Sequence, residues 1–333
     1  MVLPENVMGA TSADAGHDAR AAAGAGANAN EHGEVVPATR ALADGVRPQS
    51  PDLHVHPELP ADPTGMACSL PKQGAPVLCA LVTGATGGIG RELCAELARD
   101  HGMLALVGRS PEKLDELARD LSRRFDVNVR TFAADFAQSG AVDVLVAQVR
   151  AANLQVETLV NNAGFGYDVP FIESDLARQR ALVQTNNMAL MELCHAFAPD
   201  MAARGHGGIL NVASVAGFVP GPYMSTYYAS KAFVQSFSNA LHMELRPHGV
   251  HVTALCPGPV RTPFWDNADA GSTALARLTI SAPRVARAAV RALACNRLLC
   301  CPGVLAKTIV FGSRLIPRTW AASAAAALQK PRG

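Results

Sequence analysis

From Pro76 onward, two spacings of apolar residues alternate along the chain. Residues 77–83, 103–107, 127–133, 156–160, 208–212 and 250–256 are short runs that are largely apolar. Between them lie stretches whose apolar residues recur every three or four positions: 88–100, 111–124, 141–152, a helical region reaching about residue 203, and 225–245. A short run with no polar face predicts a strand covered on both sides, and strands separated by helices predict a parallel sheet. With right-handed crossovers this makes a doubly wound α/β domain.

Helix boundaries carry their own signals. Ser110 followed by Pro111 predicts an N-cap with proline in the first turn, and Ser281-Ala282-Pro283 predicts a second start of the same kind. Beyond Ser281, Arg284, Arg287 and Arg291 share one face, with Val285, Ala289 and Leu293 roughly opposite. That pattern predicts a buried stripe beneath a solvated arginine surface. A last strand is expected at 297–301, followed by a tail of two apolar, Ala-rich stretches, 304–316 and 320–328. Residues 1–75 show no such periodicity and are rich in Ala, Gly, Pro, His and Asp, so they are expected to be a disordered extension. A misassigned start codon would account for them equally well. The expected organisation is therefore extension (1–75), one α/β domain (76–303) and a helical tail (304–333).

Composition narrows the function. The 333 residues are 49% hydrophobic, enough for a core, and a net charge of +1 argues against holding nucleic acid by bulk charge. That even total hides an asymmetry: residues 1–76 carry nine acids against four bases, whereas Ala270–Gly333 carries ten bases and no acid. Eight cysteines without a Cys-x-x-Cys pair suggest a reduced, cytoplasmic setting. No metal site is expected, because His54 with His56 and His248 with His251 lack acidic or thiolate partners. Neither an export signal nor a run of about 20 uncharged apolar residues is present, so no transmembrane span is expected.

Three constellations carry chemistry. The first strand runs through Thr83-Gly84-Ala85-Thr86-Gly87-Gly88-Ile89-Gly90 into a helix. Glycines there permit a tight turn and let phosphates approach backbone amides at the positive end of the helix. The second strand ends at Arg109, where an acidic residue would accept bonds from ribose hydroxyls. A guanidinium suits a 2′-phosphate instead, favouring NADP over NAD, although an exposed loop arginine is the plainer reading. Third, Tyr227 and Lys231 stand four residues apart on one helical face, thirteen residues after Ser214 at a strand end. A phenol of pKa about 10 needs a nearby cation to lower it before it can exchange protons near neutrality. Tyr228 competes for that role but points about 100° away around the helix.

In these motifs the chain resembles the short-chain dehydrogenases/reductases, over roughly residues 77–303. The resemblance implies a single Rossmann-like domain and assigns Gly84, Thr86, Gly88, Ile89 and Gly90 to the cofactor loop. Asn162, Ala163 and Gly164 match the Asn-Asn-Ala-Gly signature beside the adenosine, and Asp135 matches an acidic contact to adenine. Pro257, Gly258, Val260 and Thr262 match the loop that holds the nicotinamide. Asn186, Ser214, Tyr227 and Lys231 match the catalytic positions, with Asn187 leaving the choice of asparagine open. The implied reaction interconverts a carbonyl and an alcohol: Tyr227 exchanges the proton, Ser214 orients the oxygen, Lys231 binds the nicotinamide ribose and lowers the tyrosine pKa, and Asn186 supports a proton-relaying water. A homo-oligomer built through the two long central helices is also implied.

Substrate preference is expected from Phe165-Gly166-Tyr167, residues 217–224 and Phe264-Trp265, which are mostly apolar and point to a lipophilic ketone or alcohol such as a 3-oxoacyl chain or a steroid-like molecule. Those residues would equally serve as filling. The tail has three readings: a helix packed over the cleft, which we favour, an oligomer contact, or an interfacial membrane anchor. Two other functions fit the sequence less well. A dinucleotide-sensing regulator would dispense with the Tyr–Lys pair, and a sugar-nucleotide epimerase would need a differently spaced glycine loop and a large C-terminal domain.

Overall fold

The computed structural model describes residues 74–261 and 279–329. Most of the expected extension, and Thr262, Phe264 and Trp265, lie outside them. Seven strands, β1 (Val77–Thr83), β2 (Met103–Gly108), β3 (Asn128–Ala133), β4 (Leu154–Asn161), β5 (Gly207–Val212), β6 (Val250–Leu255) and β7 (Leu299–Cys300), form one sheet. Their order is β3-β2-β1-β4-β5-β6-β7, and every pair is parallel. The strand order reverses between β1 and β4, so loops leaving the carboxyl ends of these strands diverge there and open a crevice.

The alternation of side chains along each strand divides the core in two. Cys79 and Leu81 of β1 and Ala105 and Val107 of β2 face one layer, while Ala80, Val82, Leu104 and Leu106 face the other. The first layer is closed by α3 (Ala141–Ala151), α5 (Ala189–Arg204) and α6 (Ser225–Leu245) through Leu145, Val149, Leu193, Phe197 and Val234. The second is closed by α1 (Gly88–Leu97), α2 (Pro111–Arg124) and α7 (Ala282–Ala294) through Leu93, Leu114, Leu121 and Val285. Central strands therefore have no polar face, as the apolar runs require, whereas β3, at an edge, is only half covered.

The cap at Ser110 forms as expected: its hydroxyl oxygen accepts the Lys113 N–H at 3.3 Å, with Pro111 in the first turn. Ser281 precedes α7 without a side-chain cap among the described residues, and the turn closes through its carbonyl, which accepts Val285 N–H at 3.2 Å. The three α7 arginines are exposed over buried Val285, Ala289 and Leu293, and Arg287 pairs with Glu96 of α1 at 3.5 Å. The region before residue 204 departs from one continuous helix: α4 (Leu176–Val183) passes into a π-helical turn, Gln184–Met188, before α5. The last strand is only two residues long, shorter than the expected 297–301. The tail forms α8 (Val304–Gly312) and α9 (Arg318–Gln329).

Candidate active site

The glycine turn lies at the carboxyl end of β1. Gly84 has φ +61°, and a Cβ there would stand 2.9 Å from the Ala163 Cα; a Cβ at Gly90 would run into the Gly84 carbonyl oxygen. Both glycines thus let the turn fold tightly against the end of β4. Thr83 is the hub of this junction. Its hydroxyl oxygen accepts the N–H groups of Asn162 and Ala163 at 2.9 and 3.0 Å and donates to Val160 O at 3.2 Å. Asn162, expected beside the adenosine, turns its amide inward and donates to the Thr83 and Gly84 carbonyls, both at 3.0 Å. It braces the turn from behind.

In front of that brace the arrangement suits a dinucleotide. Among the described residues α1 has no side-chain cap and no acid in its first turn, leaving the amides of Gly88, Ile89 and Gly90 to an anion. Arg109 is exposed just beyond the end of the neighbouring β2, next to Gly108, where a Cβ would stand 3.6 Å from the Thr86 hydroxyl of the turn. Asp135 is exposed just beyond β3, where its Oδ1 accepts the Ala137 N–H at 3.2 Å. On the far side, Pro257 and Val260 follow β6, and the Pro257 carbonyl accepts Val215 N–H at 3.0 Å, tying this loop to Ser214.

Ser214, Tyr227 and Lys231 converge between β5 and α6. The Ser214 hydroxyl, which accepts Ala216 N–H at 3.1 Å, is also hydrogen-bonded to Tyr227. The Lys231 Nζ lies 5.8 Å from the Tyr227 ring centroid and donates to Val212 O at 2.8 Å. Burial dominates their protonation. Desolvation pushes the Tyr227 phenol well above its ordinary pKa against the lowering bond from Ser214, and it brings Lys231 down to about 8. Within the protein the bond that lowers the phenol comes from Ser214, and burial outweighs it.

Asn186 occupies the π-helical turn and is almost fully buried. Its Oδ1 accepts Phe165 N–H at 3.0 Å, and its Nδ2 donates to Phe165 O and Ser230 Oγ, both at 3.1 Å. Asn187 instead holds the α6 backbone, donating to Ser230 O at 2.9 Å. Both asparagines thus meet Ser230 of α6, Asn186 at its hydroxyl and Asn187 at its carbonyl. The Asn186 amide is thus bonded to Phe165 and Ser230 within the protein. Ser230 went unrecognised in the sequence. It donates to Tyr227 O at 2.6 Å and links Asn186 to the catalytic turn; its place three residues after Tyr227 was the available signal.

The opposite side of the crevice is built differently. Tyr228 stands edge-on to Tyr227, with ring centroids 6.0 Å apart, packs against Gly221, and receives a hydrogen bond from the Gln329 Nε2 at the end of α9. Gln329 Oε1 and Asp168 Oδ1 are buried acceptors without a partner among the described residues, and the Asp168 charge is felt at Tyr228. Tyr223 has φ +68°, a strained left-handed backbone, and its carbonyl accepts Val169 N–H at 3.0 Å. Of the expected aromatic lining, Tyr167 is buried beneath Arg178 and serves as filling, and Phe218 packs on the core. Among the described residues there is no cluster of metal-binding side chains.

Comparison with known proteins places this geometry. A family model described as short chain dehydrogenase matches residues 78–272. A very-long-chain 3-oxoacyl-CoA reductase of Phaeosphaeria nodorum is 41% identical over 177 residues, covering 52% of this chain and 52% of that protein. The chain spans 52–63% of the length of the first curated relatives it matches. Among solved structures, a short-chain dehydrogenase from Sphingobium yanoikuyae in complex with NADPH superposes with TM-score 0.64 at 31% identity, over 72% of this chain and 94% of that one. A bulky-bulky ketone specific alcohol dehydrogenase from Comamonas testosteroni gives TM-score 0.61 at 28% identity, over 71% of this chain and 92% of that one. Because the matched model takes in more than half of the residues, the kinship is settled: the chain belongs to the short-chain dehydrogenase family.

Proposed function

We propose that this protein is an NADP-dependent oxidoreductase interconverting a carbonyl and an alcohol on a lipophilic substrate, with 3-oxoacyl compounds the leading class. The observation that carries the reading is the buried convergence of Ser214, Tyr227 and Lys231 beside an uncapped helix start. When bound, NADP(H) supplies or removes the hydride at the substrate carbon. The first-turn amides of α1 would hold its diphosphate, and Arg109 a 2′-phosphate. Lys231 would bind a ribose hydroxyl, and Ser214 would hold the substrate oxygen against the tyrosine. In reduction the Tyr227 hydroxyl gives its proton to that oxygen; in oxidation its phenolate takes the proton back. Burial keeps the phenol protonated, the form that reduction uses.

The lipophilic preference rests on the names of the similar proteins, 3-oxoacyl-CoA reductases and a dehydrogenase for bulky ketones, and on the mostly apolar loop between Ser214 and Tyr227. A cytoplasmic, reducing setting fits the seven cysteines among the described residues, all free thiols. A second copy is proposed to cover the apolar groove of about 310 Å³ between α5 and α6, lined by Met191, Ala198, Phe237 and Leu241. The decisive experiment follows NADPH oxidation with 3-oxoacyl thioesters, bulky ketones and ketoses. Consumption with the thioesters is expected. Measurable NADPH binding with no turnover on any carbonyl would favour a cofactor-sensing regulator instead.

A further inference from the structure

The tail is pinned at both ends and bare in the middle. At its start Ala306 is 1% exposed, turned toward Gly258, and α8 packs on the short turn Val215–Phe218 that follows Ser214. At its end Gln329 is buried against Tyr228. Between these anchors the chain turns through Ser313–Pro317, and Phe311, Leu315, Ile316 and Trp320 are 47–70% exposed. Val304, about two turns before Phe311 on the same helical face, is exposed as well. Large apolar side chains are rarely bared together on a solvated surface unless something covers them.

The charges around this elbow indicate what does. Lys307, Arg314 and Arg318 flank it, all three exposed, and no acid occurs anywhere from Ala270 to Gly333. An apolar ridge with two aromatic residues, on a segment whose only charges are cations, complements a bilayer surface that carries anionic headgroups. Among the described residues no helix is long and apolar enough to cross a membrane, so contact would be in the plane of the interface. We propose that the α8–α9 elbow is a peripheral docking surface for anionic phospholipid, inserting Phe311, Leu315, Ile316 and Trp320 among the headgroups. The same tail ends at Tyr228, so docking sets the cleft mouth close to the lipid from which an acyl substrate would enter. The docking itself does not depend on the catalytic reading.

Co-sedimentation of the full chain with vesicles tests it. Vesicles of phosphatidylcholine mixed with phosphatidylglycerol should pellet the protein, and phosphatidylcholine alone should do so far less. Leu315→Ser with Trp320→Ser, and separately Arg314→Glu with Arg318→Glu, should each abolish the pelleting; every base lost costs roughly fivefold in vesicle affinity. Arg314→Lys with Arg318→Lys should restore it. Both pairs should keep the melting temperature and NADPH affinity of the parent, showing that the fold survives. Equal binding by parent and variants would overturn the proposal. So would a parent that sediments as a larger assembly which the Leu315/Trp320 variant loses, since the elbow would then be covered by a second copy.

Discussion

On the cofactor side of Ser214 and Tyr227, nearly every polar side chain is already bonded within the protein. Thr83 holds β4, Asn162 holds the glycine turn, Asn186 holds the Phe165 backbone and the Ser230 hydroxyl, Ser230 holds the Tyr227 carbonyl, and Lys231 the Val212 carbonyl. On the substrate side, Asp168 and Gln329 keep buried acceptors unpaired, Tyr223 is strained, and the tail bares apolar groups. The contrast teaches a division of labour. Proton chemistry needs groups fixed before the substrate arrives, so their hydrogen bonds are spent inside the fold. Recognition is left to groups whose bonding is completed by a ligand or a surface.

The sharpest break of that contrast is Tyr227→Phe. It removes the proton donor and leaves the rest of the fixed side in place, so carbonyl reduction should fall by about 10²–10⁴-fold while NADPH still binds. Stopped-flow turnover with fluorescence titration of NADPH separates the two, and undiminished turnover would remove Tyr227 from its role. Next is Arg109→Ala. Losing a charge-assisted bond of about 1.5–3 kcal/mol should raise the KM for NADPH roughly 10- to 150-fold and leave that for NADH almost unchanged. A parallel loss for both cofactors would show Arg109 to be an ordinary loop residue.

Lys231 gives a pH signature. Burial lowers its pKa from 10.5 to about 8, so the folded chain releases this proton before the unfolded chain does. Between those values the unfolded state binds more protons, and this group makes stability rise with pH across that window. Lys231→Met should flatten the rise in melting temperature seen for the parent. On the proposed mechanism, reduction is expected to have the opposite slope, because the Lys231 ammonium proposed to hold the ribose would be lost above about pH 8. A parent and variant with identical pH profiles of stability would mean that the amine is not desolvated.

How much of this was legible in the sequence divides along the same line. β1 and β2 were readable because strands buried on both faces must be apolar throughout, and α2 because Ser110-Pro111 and the leucines at 114, 117 and 121 fix its cap and inner face. Ser214, Tyr227 and Lys231 were readable because their chemistry demands a spacing. The π-helical turn at 184–188 was not, since widening a helix by one residue leaves apolar periodicity almost unchanged. Nor was the inward turn of Asn162, which depends on how closely β1 and β4 approach. Gln329 was beyond reach: its partner Tyr228 lies 101 positions away, and nothing in an Ala-rich tail marks one glutamine as buried.

That last residue carries the smallest predicted effect and the closest test of the division. Gln329→Ala removes a donor to Tyr228 and an unpaired buried acceptor together, so the loss and the relief partly cancel. About 1 kcal/mol is at stake, which is roughly fivefold in KM for the carbonyl substrate. kcat should change little, because Ser214, Tyr227 and Lys231 are untouched. NADPH affinity should not move, because no bond of Gln329 reaches the glycine turn or Arg109. If NADPH affinity fell with substrate affinity, the two sides of the cleft would share one network, and the distinction between a fixed side and a completed side would fail at the residue where it is most exposed.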